Sequence, residues 1–309
     1  MRKIVITLTA LMVTVAAQAQ TAMSFIQEEH NPAAAGLAGV TSASTSLGMA
    51  YSVFGNPAAQ PLSDQKMDFA VAYRNVSAGT GESINNITAG AGFKFGKFGI
   101  SAGYHMEMFP PVAGASEGGG NMADISSSAM LFGLGLSYGI GDHLGLGANV
   151  RFGLHQLDKS TTLSAVNFDV MALYNIGGFN VTAGVVGLGP AVKSVSNSTY
   201  ALPASARVGA AYGLPLGALS LEAMAGFDYY FSGNIGAGVA AQLGYSDMAF
   251  LRLGFRYGSV KENFNAAPVP THLSVGVGGK FFGVRLDVAY QLLLAGQGGV
   301  LSAGLAYSF

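Results

Sequence analysis

The stretch "VRLDVAYQ", residues 284–291, decides the fold. Val284, Leu286, Val288 and Tyr290 share one parity, and Arg285, Asp287, Ala289 and Gln291 share the other. A period of two is that of a β-strand, whose successive side chains point to opposite faces. One face here is wholly hydrophobic while the other carries full charges, as in a wall with hydrocarbon on one side and a polar interior on the other. The same partition recurs upstream. Leu251, Leu253, Phe255 and Tyr257 oppose Arg252 and Arg256. Leu219, Leu221, Ala223, Ala225, Phe227, Tyr229 and Phe231 oppose Glu222 and Asp228. Arg151, His155 and Arg207 likewise stand opposite apolar faces.

Working outward, the chain reads as fourteen strands: 67–77, 84–95, 97–108, 124–138, 143–157, 164–175, 178–187, 201–213, 217–231, 235–246, 248–258, 270–281, 282–292 and 298–309. Runs of about ten residues suit tilted strands that cross a bilayer. With the more apolar parity of each strand turned outward, no Asp, Glu, Lys or Arg faces out. A cation at the bilayer midplane costs roughly 2–4 kcal/mol, so lipid contact enforces such an exclusion. A soluble sandwich would also alternate, but it would charge its solvated face. The fold class expected is therefore all-β: a transmembrane antiparallel barrel of about 14 strands over 67–309, preceded by a short plug-like segment.

The connections follow the same logic. Joins after even strands are tight, at 96, 139–142, 176–177, 214–216, 247 and 281–282. Joins after odd strands are mostly longer, at 109–123, 187–200 and 259–269, with 232–234 and 293–297 as short exceptions. Outer-membrane barrels alternate short periplasmic turns with longer external loops, so both barrel ends are expected on the periplasmic side. Aromatics such as Phe98, Tyr138, Tyr174 and Tyr212 cluster near the turns, and Tyr73, Tyr257 and Tyr290 near the loops, as interfacial girdles require.

Composition narrows the function classes. The 309 residues are 50% hydrophobic and 10% charged, with mean hydropathy +0.41, yet no apolar run long enough for a membrane helix follows the N-terminus. The 45 glycines do not imply disorder, because Phe, Tyr, Val and Leu recur throughout. A net charge of -1 and the lack of a basic run argue against a nucleic-acid partner. The absence of cysteine excludes disulfides and thiolate metal sites. Arg2 and Lys3, the apolar run 4–16 and Ala17-Gln18-Ala19 read as an export signal over 1–19, with no cysteine after it to accept a lipid. Residues 20–66 then form a plug or periplasmic segment, or a flexible tail, in which Asn31-Pro32 reads as a helix cap followed by proline at the first helical position.

"AAAGLAG" at 33–39 and "FGNPAA" at 54–59, with Asn56 and Pro57, precede this pattern, and "VVGLGPAV" and "LPASARVGAAY" lie mid-chain with Leu188, Gly189, Pro190, Leu202 and Pro203. In this order the motifs resemble the PorV/PorQ group within the wider FadL-like outer-membrane family. The position before Leu188 departs from the family pattern, holding Gly187 in place of Asn, and the N-terminal segment lacks the family's usual arginine. The resemblance implies a component of the type IX secretion system of Bacteroidota in the bacterial outer membrane, meeting secreted cargo or other secretion components through the loops 109–123, 188–200 and 259–269. The alternative it implies is a FadL-like channel for hydrophobic small molecules. The final residues Leu305, Tyr307 and Phe309 also resemble the C-terminal signal read by barrel-assembly machinery.

Candidate chemistry is sparse. His105 and Glu107 share the inward face of the third strand, too few for a metal ligand set, and read as a solvated pair. The inward charges Arg151, Arg207, Arg252, Arg256, Lys280 and Arg285, with Asp169, Glu222, Asp228 and Asp287, read as ion-paired ladders across neighbouring strands that brace the lumen. "GASEGGG" at 114–120 lacks the Lys-Ser/Thr of a phosphate cradle and reads as a flexible loop. His30, His143, His155 and His272 fall in no catalytic motif. The chain is thus expected to be non-enzymatic, without cofactor or metal, and partnered by outer-membrane lipid.

Overall fold

Period-two patterning becomes a closed wall. In a computed structural model that describes residues 23–77, 83–115, 121–158, 160–193, 199–260, 267–294 and 298–309, fourteen strands form one antiparallel barrel. They are β1 (Met67–Ser77), β2 (Ser83–Phe95), β3 (Phe98–Met108), β4 (Ser128–Ile140), β5 (Leu144–Gln156), β6 (Thr162–Ile176) and β7 (Phe179–Leu188). There follow β8 (Ser205–Leu216), β9 (Leu219–Tyr230), β10 (Ile235–Tyr245), β11 (Ala249–Gly258), β12 (His272–Phe281), β13 (Val284–Leu293) and β14 (Gly299–Ser308). Each pairs with its sequence neighbour, and β14 pairs with β1 from Asp68↔Ser308 to Ser77↔Gly299, so the sheet has no edge. The expected export signal at 1–19 lies outside the described residues, and Lys66 and Met67 both donate backbone hydrogen bonds to the Phe309 carbonyl.

The outer surface is a continuous apolar belt. Leu134, Leu136, Val170, Val239, Leu253, Val277, Leu286 and Leu305 are all exposed, and no Asp, Glu, Lys or Arg of the fourteen strands is. In water such a surface would drive aggregation; in hydrocarbon it is the required solvent match.

Several boundaries differ from the sequence reading, the eighth strand beginning at Ser205 rather than 201, and two of the differences have identifiable reasons. The fourth strand begins at Ser128 rather than 124, because Val112–Ala115 and Asn121–Ile125 pair with each other as a separate short ribbon within the long connection. That ribbon takes part of the stretch expected to be a flexible loop at 114–120, of which 116–120 lie outside the described residues. The turn expected at 214–216 lies two residues later, at Gly217 and Ala218, and β8 runs through Pro215. Pro215 is tolerated because β8 pairs with β7 only as far as Tyr212↔Phe179, so its missing N–H falls on an unpaired flank. Gly217, at φ 72°, supplies the positive φ that the turn needs.

Residues 23–66 lie inside the wall. Asn31 caps a one-turn helix, Pro32–Ala35, its side chain accepting from the Ala33 N–H at 3.0 Å. Asn56 repeats the arrangement for the 3-10 turn Pro57–Leu62, accepting from Ala58 N–H at 2.9 Å. Both prolines occupy the first helical position, where a missing N–H costs nothing. The first helix packs on β12, β13 and β14 and the second turn on β3 to β6, so the segment crosses the lumen. Its approach depends on glycine in the wall: a Cβ on Gly276 of β12 would lie 2.9 Å from Gly36 Cα. At the turn end, Gln60 donates to the carbonyls of Phe93 and Ile100 at 3.0 and 2.8 Å, closing the space between β2 and β3.

Candidate functional site

Inward parity collects the charges, and small residues between them set which ones meet. Arg252 on β11 reaches across β12 to Asp287 on β13, Nη1 to Oδ1 at 2.7 Å. The intervening residue is Gly278, where a Cβ would lie 2.4 Å from Asp287 Oδ1 and 2.7 Å from Arg252 Nη1. Strands two apart are separated by roughly 10 Å, a span that a long arginine bridges only if the strand between offers no side chain. Arg256 reaches Asp228 on β9 in the same way, past Gly236 of β10.

Asp228 is the hub of this network. It is 2% exposed, and it also takes Arg207 Nε at 2.5 Å from the opposite neighbour β8. Arg285 donates to Asp287 Oδ2 at 2.8 Å, and Arg151 donates to Asp169 at 2.6 Å and to the Ile26 carbonyl of the luminal segment at 2.9 Å. Asp169 also accepts from Gly187 N–H at 2.7 Å, at the register shift between β6 and β7. The ladder is not uniform. Glu222 accepts from Ser46 Oγ at 2.6 Å, and neither Glu222 nor Lys280 joins an ion pair among the described residues. Lys280 stands directly opposite Arg285, a like charge.

A second cluster was only half visible in the sequence. His105 and Glu107 are buried, His105 Nδ1 hydrogen-bonds Thr88 Oγ1 at 2.8 Å, and Asn86 donates to Glu107 at 2.9 Å. This pair is therefore packed, rather than solvated as expected, because the luminal segment covers it. His30 stacks on Phe54 with centroids 4.5 Å apart and meets His105 edge-on at 4.3 Å. Burial drives the His30 imidazole well below its ordinary value, so it is neutral. Arg74 of β1 pairs with Glu28 and fastens the segment's start to the wall. The inward parity of Arg74 was the available signal; its partner lay in a stretch without periodicity.

Between segment and wall runs a cavity of about 220 Å³. At the end bearing the long connections it is lined by Val76, Leu293, Val300 and Pro268 to Pro270, and towards the turns by Asn56, Gln60 and Ser63. Ile26, Tyr51, Phe54, Arg151 and Arg207 line its middle. The mid-chain motif positions lie beside its loop end, whereas Asn56 and Pro57 lie towards the turns: Leu202 is buried with Phe25 and Ile26, Pro203 accepts from Gln27 Nε2 at 2.7 Å, and a Cβ on Gly189 would meet the Val166 carbonyl at 2.2 Å. Leu188 ends β7, with Pro190 just beyond it.

No family model and no curated protein matches the sequence. The fold has many solved counterparts. The toluene transporter TbuX of Ralstonia pickettii superposes with a TM-score of 0.65 at 15% identity, covering 92% of this chain and 99% of that one. The Pseudomonas putida toluene transporter TodX gives 0.60 at 13% identity, covering 94% and 99%. A FadL homologue of Pseudomonas aeruginosa gives 0.56 at 14% identity, covering 91% and 97%. The fold is that of the FadL-like outer-membrane barrels, and with its uncharged apolar belt the wall belongs in the bacterial outer membrane.

Proposed function

We propose that this protein is an outer-membrane channel for hydrophobic small molecules, with residues 23–66 as its plug. The observation that carries the reading is the cavity that follows the luminal segment from the apolar loop end towards the turns. Its volume of about 220 Å³ exceeds the roughly 150 Å³ that holds benzene in a wholly apolar cavity, and here Arg151, Asp169, Arg207 and Arg256 share the lining with the apolar groups. The fold's likeness to two toluene transporters points the same way. In this reading the long connections face outward, solute enters between β1, β13, β14 and the 267–270 strap, and displacement of the plug completes the passage. The reading is tested by uptake of a labelled monoaromatic compound in cells with and without the gene. Deletion slows uptake while protein secretion is unchanged; equal uptake in both strains refutes it.

A second reading, a PorV/PorQ-like part of protein secretion, is supported by the motif positions Leu202 and Pro203, which join the outer connection of β7 and β8 to the plug. Crosslinking in cells separates the two. Recovery of secreted proteins with an intact uptake phenotype in the deletion strain favours secretion over transport.

A further inference from the structure

We infer that the loop-end mouth of the cavity is a recognition site for small neutral amphiphiles, an apolar body bearing one hydroxyl group, of which phenols are the type. This rests on the channel reading and narrows its substrate. Barrel closure sets Val76 opposite Val300, Val300 opposite Gln291, and Leu293 opposite His272. Inward parity turns all of them to the lumen, where they form one patch with apolar groups above and two amide- and imidazole-bearing groups below.

A proline-rich strap completes the mouth. Ala267 N–H donates to the Ser259 carbonyl at 2.7 Å, and Thr271 Oγ1 both accepts from Gly258 N–H at 3.0 Å and donates to the Gly258 carbonyl at 3.1 Å. Pro268, Val269 and Pro270 are thereby held against the end of β11.

The hydrogen bonds fix what this site offers. His272 Nδ1 lies 2.8 Å from the Pro270 carbonyl, which only accepts, so the ring proton is on Nδ1. Nε2 is then an acceptor, and Gln291 Nε2, 3.1 Å away, donates to it. The Gln291 amide is oriented by this bond, leaving its Oε1 as the acceptor for a ligand. His272 and Gln291 are 2% and 5% exposed, so the acceptor sits in a poorly hydrated place where an unmet polar group is costly. A hydroxyl donor satisfies it while the ring occupies the apolar wall. A carboxylate does not: it faces the same oxygen, and the cations at this end are already paired, Arg74 with Glu28 and Arg256, which stands opposite His272, with Asp228.

The test is calorimetric binding to the full-length protein in detergent, with p-cresol, toluene, 4-methylanisole and p-toluate as probes. p-Cresol is expected to bind about 5- to 10-fold tighter than each of the others, the size of one net hydrogen bond. Gln291→Leu is expected to bring the p-cresol to toluene ratio to about one, with folding verified by heat-modifiable gel migration. Equal affinity for p-cresol and 4-methylanisole overturns the inference without reference to any variant, and so does tightest binding of p-toluate. If toluene binds and is taken up but p-cresol has no advantage, the mouth assignment fails while the channel stands. If none of the four binds and uptake is independent of the gene, the channel reading itself falls.

Discussion

Asp228→Ala is the most informative perturbation of the lumen. The carboxylate is 2% exposed and serves two arginines, Arg207 Nε at 2.5 Å and Arg256 through its guanidinium. Each arginine keeps one neutral contact after the change, Arg207 with Gln27 Oε1 at 3.2 Å and Arg256 with Tyr230 Oη at 3.2 Å. Neither keeps a counterion there. Removing one partner of a buried pair costs about 3–5 kcal/mol, and with two cations stranded the upper part of that range is expected. Asp228→Asn retains an acceptor without the charge, for an expected loss of about 2–3 kcal/mol. Pairing Asp228→Ala with Arg207→Met recovers more than about 1 kcal/mol relative to the sum of the single changes, because one stranded cation is removed. With no tryptophan in the chain, equilibrium urea unfolding in lipid-detergent micelles is followed by far-ultraviolet circular dichroism and gel migration. A loss below about 1 kcal/mol for Asp228→Ala, or strict additivity in the double variant, refutes the hub assignment.

Three further outcomes are expected. Gly276→Val drives a branched side chain into Gly36, 2.9 Å from where its Cβ would begin, so the barrel folds but its conductance in planar bilayers rises; unchanged conductance contradicts the close-packed plug. Asn56→Ala removes the cap on Ala58 and the bonds to the Ser42 carbonyl at 2.6 Å and Thr182 Oγ1 at 3.0 Å, loosening the segment by about 2–3 kcal/mol in hydrogen exchange while the strands keep their protection. Because burial lowers the His30 value below its unfolded value near 6.5, the released segment binds more protons than the docked one. The His30 contribution to docking is thus fully present above about pH 6.5 and is lost as pH falls below it; His30→Phe, which keeps the stack on Phe54, removes that contribution to the decline.

The wall was legible because lipid imposes a binary code on every residue of every strand, and residues 284–291 display it without exception. Where a local signal and the wall disagreed, the wall won: Leu-Pro-Leu at 214–216 reads as a turn, yet Pro215 stays in β8 because no strand pairs with its N–H side. The ladder was half legible. Parity identified which charges face inward, but partners such as Arg252 and Asp287 sit two strands apart, and only the glycine between them reveals that they can meet. The luminal segment had a signal in the wall itself. Gly145 and Gly147, two apart on inward parity, contact Ala58 and Pro57, and paired inward glycines mark where another backbone comes close. The mouth had none, since Val76, Pro270, His272 and Val300 come together only when β14 closes on β1.

That closure has a consequence for assembly. The chain seals its barrel around its own beginning: on β14, Gly304 carries a bare inward face against Pro32, where a Cβ would lie 2.8 Å from the proline ring. The seam between β14 and β1 therefore runs over a piece of the chain synthesised before any of the strands. A nascent barrel that closes early shuts that piece out, and one that waits carries it inside, so the order of two folding events decides whether the finished wall is filled or hollow.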